Sequence, residues 1–196
     1  MVRRLPWLSA AVALAGTLVA LCPATAQALQ YDRAGVTSGA IWLLLTSQLA
    51  HWSVRMAVFD LGAVLLLGAL LEIRGARRLA ALAIAGGALA TAAVVQFLPP
   101  YFAFYRGASG LASALYVAAA IELAQTEAGW RRLVALAAIA GFVLKVAWEV
   151  KTGQPIAMGA FPPGVVVTPV IHAAAGLAGA AAAIYERFAR PQIDSR

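Results

Sequence analysis

Residues 79–98 read LAALAIAGGALATAAVVQFL, a run without one charged side chain. An α-helix rises about 1.5 Å per residue, so a run of this length matches the roughly 30 Å hydrocarbon core of a bilayer. Lipid offers no partner for backbone N–H and C=O groups, so a helix, which bonds them internally, is the conformation expected of it. Working outward, the same reading finds apolar runs near 5–28, 41–71, 108–125, 132–150 and 169–188. The expectation is an all-α membrane protein, a bundle of six transmembrane helices forming a single domain over residues 1–196. Composition agrees: 63% of residues are hydrophobic, 12% are charged and the mean hydropathy is +0.84, whereas soluble domains carry about a quarter charged residues. Membrane lipid is therefore the principal partner, and no stretch is left over for a soluble domain.

A net charge of +7 would point to nucleic acid in a soluble protein. In a membrane protein arginines mark the cytoplasmic loops instead, and no nucleic-acid partner is expected. Arg3, Arg4, Arg74, Arg77, Arg78, Arg131, Arg132, Arg187, Arg190 and Arg196 fall on one side of the six-span arrangement. Arg33, Arg106 and Lys151 fall on the other, with Arg55 and Lys145 in or near spans. The positive-inside rule then puts both termini in the cytoplasm and the odd-numbered connections outside. A second reading of the first run is a signal peptide, since Arg3-Arg4, an apolar stretch and Ala24-Thr25-Ala26 resemble its parts. Retention as a span is preferred because the run is long for a signal peptide, and the orientation is the same in both cases. Cys22 is the single cysteine, which forbids an intramolecular disulfide.

Few groups in the spans can do chemistry. His51 lies near the outward end of the second run, and His172 lies just inside the outward end of the sixth. Ser109, in Gly107-Ala108-Ser109-Gly110, opens the fourth and shares the depth of His172. A serine hydroxyl is a weak nucleophile until a base within hydrogen-bond reach takes its proton, and imidazole suits that task. A helix N-terminus adds unpaired N–H groups and a positive dipole end that can stabilise an oxyanion. Gly107 and Gly110 would let a substrate backbone approach. The plainer alternative is that the small residues serve helix contact and the histidines are interhelical hydrogen bonders.

With these residues in view, the chain resembles the rhomboid intramembrane serine proteases, and within them the rhombosortase branch, from about Tyr31 to Gly179. The matching features are Tyr31-Asp32-Arg33, Leu45-Thr46 through His51-Trp52-Ser53, Gly68 to Glu72, Tyr105-Arg106-Gly107-Ala108-Ser109-Gly110, and Lys145-x-x-x-Glu149 followed by Thr152-Gly153. The resemblance implies Ser109 as nucleophile and His172 as base, with no metal or organic cofactor. It further implies a bacterial inner-membrane endopeptidase whose substrates are exported proteins held by a C-terminal transmembrane anchor. Those substrates would carry a Gly-Gly-type signal before the anchor helix and a basic tail after it, with cleavage on the outward side.

The helpers of the dyad depart from the common rhomboid pattern. Met56 and Asp60 stand where a His-x-x-x-Asn usually helps bind the oxyanion, and Met56 cannot donate a hydrogen bond. Ser113 replaces an aromatic residue, and the sixth span has Ala175 before Gly179. Asp60 has three readings: a neutral carboxyl donating to the oxyanion, an ionised carboxylate holding His172 in its working tautomer, or a structural hydrogen bonder. His51 either assists the site or bonds locally. Lys145 and Glu149, four apart on the fifth span, read as a helical ion pair, with capture of an anionic substrate terminus as a further possibility. The segment from Lys151 to Pro169 reads as a connector or a cap over the site. Two rival functions follow from the departures: a rhomboid-fold pseudoenzyme that binds transmembrane helices, and a small transporter or scaffold.

Overall fold

The computed structural model describes residues 5–97, 99, 102–156 and 168–189. In chain order these form α1 (Trp7–Ala20), α2 (Pro23–Leu29), β1 (Tyr31–Asp32), α3 (Arg33–Thr37), α4 (Leu43–Thr46), α5 (Val54–Ile73), α6 (Arg77–Phe97), β2 (Phe104–Tyr105), α7 (Ser109–Thr126), α8 (Gly129–Thr152) and α9 (Pro169–Ala189). Helices α5, α6 and α8 are each long and apolar enough to cross a membrane, and the bent pair α1 and α2 adds a fourth if it counts as one span. The chain is a multi-pass membrane protein. Helix α7 is the most enclosed of the long helices: ten of its eighteen residues are buried, most of them small.

Two of the apolar runs are not single helices. The run at 5–28 breaks after α1, and α2 leaves at 113°. Pro23 opens α2, its ring disfavours a helical residue before it, and Cys22 is accordingly extended at φ −123°, ψ 100°. The run at 41–71 divides between α4 and α5. Ser53 is the N-cap of α5, its hydroxyl accepting the Met56 N–H at 3.2 Å. Between the two helices Ser47 and Gln48 are buried, and the Gln48 amide donates to the Ala88 carbonyl at 3.0 Å. Helices α6, α7, α8 and α9 coincide with the remaining runs to within one turn.

Helices α6, α7 and α9 pack mutually against one another, and their backbones approach closely. A Cβ on Gly179 would overlap the Ala114 carbonyl, and one on Gly110 would overlap the Thr91 hydroxyl. Such crossings are what small residues permit where lipid gives no hydrophobic drive to associate. Helix α1 is tied to α5 by Glu72, which is buried and accepts from the Ser9 N–H at 2.8 Å, the Ser9 hydroxyl at 2.8 Å and the Leu8 N–H at 3.1 Å. A carboxylate at that helix start also meets the positive end of the dipole.

One end of the bundle gathers the arginines. Arg74 donates to Glu127 at 2.6 Å, Arg77 to the Leu5 carbonyl at 3.1 Å, and Arg78 pairs with Glu186 at 2.9 Å. The Arg74 hydrogen bond, helped by Arg131, holds the Glu127 carboxyl below the usual carboxylate range. At the opposite end β1 pairs antiparallel with β2, Tyr31 facing Tyr105 and Asp32 facing Phe104. Arg33 anchors this ribbon by donating to the Val95 and Gln96 carbonyls in the last turn of α6. The ribbon thereby fixes the chain just before residue 107.

Candidate active site

Ser109 is the first residue of α7, and the turn before it is held from three directions. The Gly107 N–H donates to the Ser47 carbonyl at 3.2 Å, the Ala108 N–H donates to Asp60 Oδ2 at 3.1 Å, and the Tyr105 hydroxyl donates to the Gly107 carbonyl at 3.0 Å. Burial, with the Asp60 carboxylate adding, pushes the Tyr105 phenol well above its ordinary pKa, so its proton stays available for that bond. Gly107 has φ +144°, a conformation that side chains resist and glycine adopts freely. The first-turn N–H groups of α7 have no intrahelical acceptor, and they lie beside the Ser109 hydroxyl.

His172 comes from the first turn of α9. Its Nε2 lies 3.1 Å from Ser109 Oγ. Its Nδ1 lies 2.7 Å from Glu149 Oε2, and Lys145 Nζ stands 3.1 Å from the same nitrogen. Lys145 also donates to both Glu149 oxygens, at 2.8 and 2.9 Å. A cavity of about 850 Å³ opens beside these groups. Met56, Phe59 and Phe142 give it apolar walls, while Ser109, His172 and Asp60 present polar atoms to it. A hydroxyl, an imidazole and a helix N-terminus facing one cavity can perform acyl transfer.

The residues singled out from sequence meet here in two groups. Ser109 and His172 form one hydrogen-bonded pair. Gly107, Asp60 and His51 form the support beneath it: the His51 ring places Nδ1 3.2 Å from the Leu49 carbonyl and Nε2 3.5 Å from Asp60 Oδ2. Asp60 makes no hydrogen bond to His172, so the reading in which Asp60 orients the imidazole is corrected. Asp60 sits on the second turn of α5 facing Ala108, while the far nitrogen of His172 faces α8. Glu149 occupies that place, whereas the sequence suggested an ion pair with Lys145 or a device for capturing an anionic substrate terminus. The signal available was a carboxylate and an ammonium within an otherwise apolar span, which lipid penalises unless they have work to do. Helix α8 continues to Thr152, with Gly153 at φ +65° closing it, and most of the segment expected as a connector or cap lies outside the described residues.

A family model described as Rhomboid domain matches residues 38–185, which takes in Asp60, Ser109, Glu149 and His172. The chain belongs to the rhomboid family. A search of curated proteins and a search of solved structures gave no match. Rhomboids are intramembrane serine proteases that act on membrane proteins within lipid, and the helical bundle agrees with that architecture. Met56 and Asp60 both lie at the cavity wall. Ser113 is buried and lines the same cavity.

Proposed function

We propose that this rhomboid is an active intramembrane serine endopeptidase of the rhombosortase branch, with Ser109 as nucleophile and His172 as general base. The observation that carries the reading is the 3.1 Å contact between His172 Nε2 and Ser109 Oγ at the wall of the cavity. Substrate enters with its scissile carbonyl against the N-terminus of α7. Ser109 Oγ attacks the carbonyl carbon as His172 Nε2 takes the hydroxyl proton, and first-turn N–H groups of α7 stabilise the oxyanion. The imidazolium returns that proton to the leaving amine as the C–N bond breaks. Water then attacks the acyl-enzyme and gives its proton to Nε2, which returns it to Ser109 Oγ as the acyl C–O bond breaks and the carboxyl product leaves.

The substrates in this reading are exported proteins with a C-terminal transmembrane anchor, cut near the outer face of a bacterial inner membrane. Residues 1–196 form one six-span domain with both termini in the cytoplasm. The arginine-rich end of the bundle, remote from Ser109, supports that orientation. Co-expression with a C-terminally anchored reporter tests the function. Wild type is expected to release the reporter's soluble part, and Ser109→Ala to leave it anchored. Release that persists in Ser109→Ala overturns the assignment.

A further inference from the structure

The closest contact to the imidazole is not made by the serine. Glu149 Oε2 lies 2.7 Å from His172 Nδ1, and its carboxylate is 2% exposed. Lys145 Nζ approaches both Glu149 oxygens and Nδ1 itself. An ammonium has only hydrogens to offer, and a carboxylate only lone pairs. The placement of one proton on the ring therefore decides which of these contacts are bonds.

If the proton is on Nε2, Nδ1 is a bare lone pair that accepts from Lys145. The 2.7 Å contact with Glu149 then joins two acceptors with nothing between them, at a separation typical of a charge-assisted hydrogen bond. In addition, Nε2 points a hydrogen at Ser109 and cannot take the hydroxyl proton. If the proton is on Nδ1, it donates to Glu149, the Nε2 lone pair faces Ser109, and Lys145 gives its hydrogens to the carboxylate. The contact of Lys145 with Nδ1 is then two donors converging on one oxygen, Glu149 Oε2. The second placement satisfies the short contacts; the first does not.

We infer that Glu149 is a positioning residue that fixes His172 in the tautomer able to accept the Ser109 proton, and that Lys145 supplies the counter-charge keeping that carboxylate in place; the inference rests on the proposed roles of Ser109 and His172. It turns a two-residue site into a chain of four: Ser109, His172, Glu149 and Lys145. The pair on α8 carries no net charge, so its contribution is orientation of the ring more than stabilisation of the imidazolium. A buried carboxylate stripped of its cation would be strongly disfavoured, which is why both charges occur together one turn apart.

Two measurements on the full-length protein in detergent micelles test this. Nitrogen-15 spectra of histidine-labelled protein, assigned by the signal lost in His172→Gln, report the ring tautomer. The expected result is an Nδ1-protonated ring in wild type that loses this state in Glu149→Gln. The rate of Ser109 labelling by a fluorophosphonate, with melting temperature measured alongside, reports function. Glu149→Gln is expected to slow labelling by about 10²–10⁴-fold at temperatures well below its own melting point, and Glu149→Asp to recover part of that rate. An Nε2-protonated ring in wild type, or Glu149→Gln labelling at the wild-type rate, overturns the inference. A wild type with the Glu149-dependent Nδ1 proton but no labelling at Ser109 upholds it and removes the protease reading instead.

Discussion

Asp60 on α5 accepts the backbone N–H of Ala108, at 3.1 Å, and so tethers the residue immediately before Ser109 to a neighbouring helix. Ala108 is fully buried, and an N–H left there without an acceptor costs about 1–3 kcal/mol. Asp60→Ala is therefore expected to lower both thermal stability and the rate at which Ser109 is labelled. Asp60→Asn keeps a carbonyl oxygen for the same N–H and is expected to retain most of both. Equal behaviour of wild type and Asp60→Ala in the two assays would remove Asp60 from the support of the site.

The proposed mechanism makes its own demand. Without an imidazole to receive its proton, the Ser109 hydroxyl loses general-base assistance worth about 10²–10⁴-fold. Labelling of Ser109 should fall by that order in His172→Ala. The loss in His51→Ala should be smaller, since His51 touches Asp60 and the Leu49 carbonyl rather than the hydroxyl. Equal labelling of wild type and His172→Ala takes His172 out of the mechanism.

Gly179 has no room for a methyl group against the Ala114 carbonyl. Overpacking of this kind typically costs about 1–3 kcal/mol, and here it pushes α9 off α7. Gly179→Ala should lower the melting temperature and slow labelling together, because His172 and Ser109 ride on those two helices. A variant that melts like wild type would mean the crossing yields more readily than its geometry implies.

Reporter fusions read the orientation. A cytoplasm-active reporter placed after Arg78 or Arg132 should be active, and an export-active one placed after Gly153 should be active. The inverse pattern would turn the bundle over and put Ser109 at the cytoplasmic face, out of reach of an exported substrate's juxtamembrane segment.

The membrane class was legible in the uncharged run at 79–98, because a helix that excludes charge over a bilayer's full thickness is suited to hydrocarbon and not to water. Ser109 was legible from its glycines and from a histidine at equal depth. The breaks at Cys22 and before Val54 were written in Pro23 and in the capping Ser53, but hydropathy alone averages over such single-residue signals. Glu149 was harder. Its partner on its own helix lies four residues away and accounts for its charge, whereas the partner on α9 is brought near by a helix crossing that no periodicity encodes. Asp60 was legible by its position, but one of its three readings fails, since depth fixes how far along the bundle a side chain sits and not which neighbour it faces.

Among the residues of α8, only Ala135 and Glu149 are buried; most of the rest of the helix is exposed and, in a bilayer, would meet lipid. A helix with that much lipid contact adjusts its tilt to the thickness of the bilayer around it. Ser109 and His172 are set by backbones that touch, but Glu149 hangs from the least buried of the three long apolar helices. Acyl-chain length is then expected to act on the imidazole through α8. Labelling rates in bilayers of shorter and longer chains should vary in wild type and be flat in Glu149→Gln.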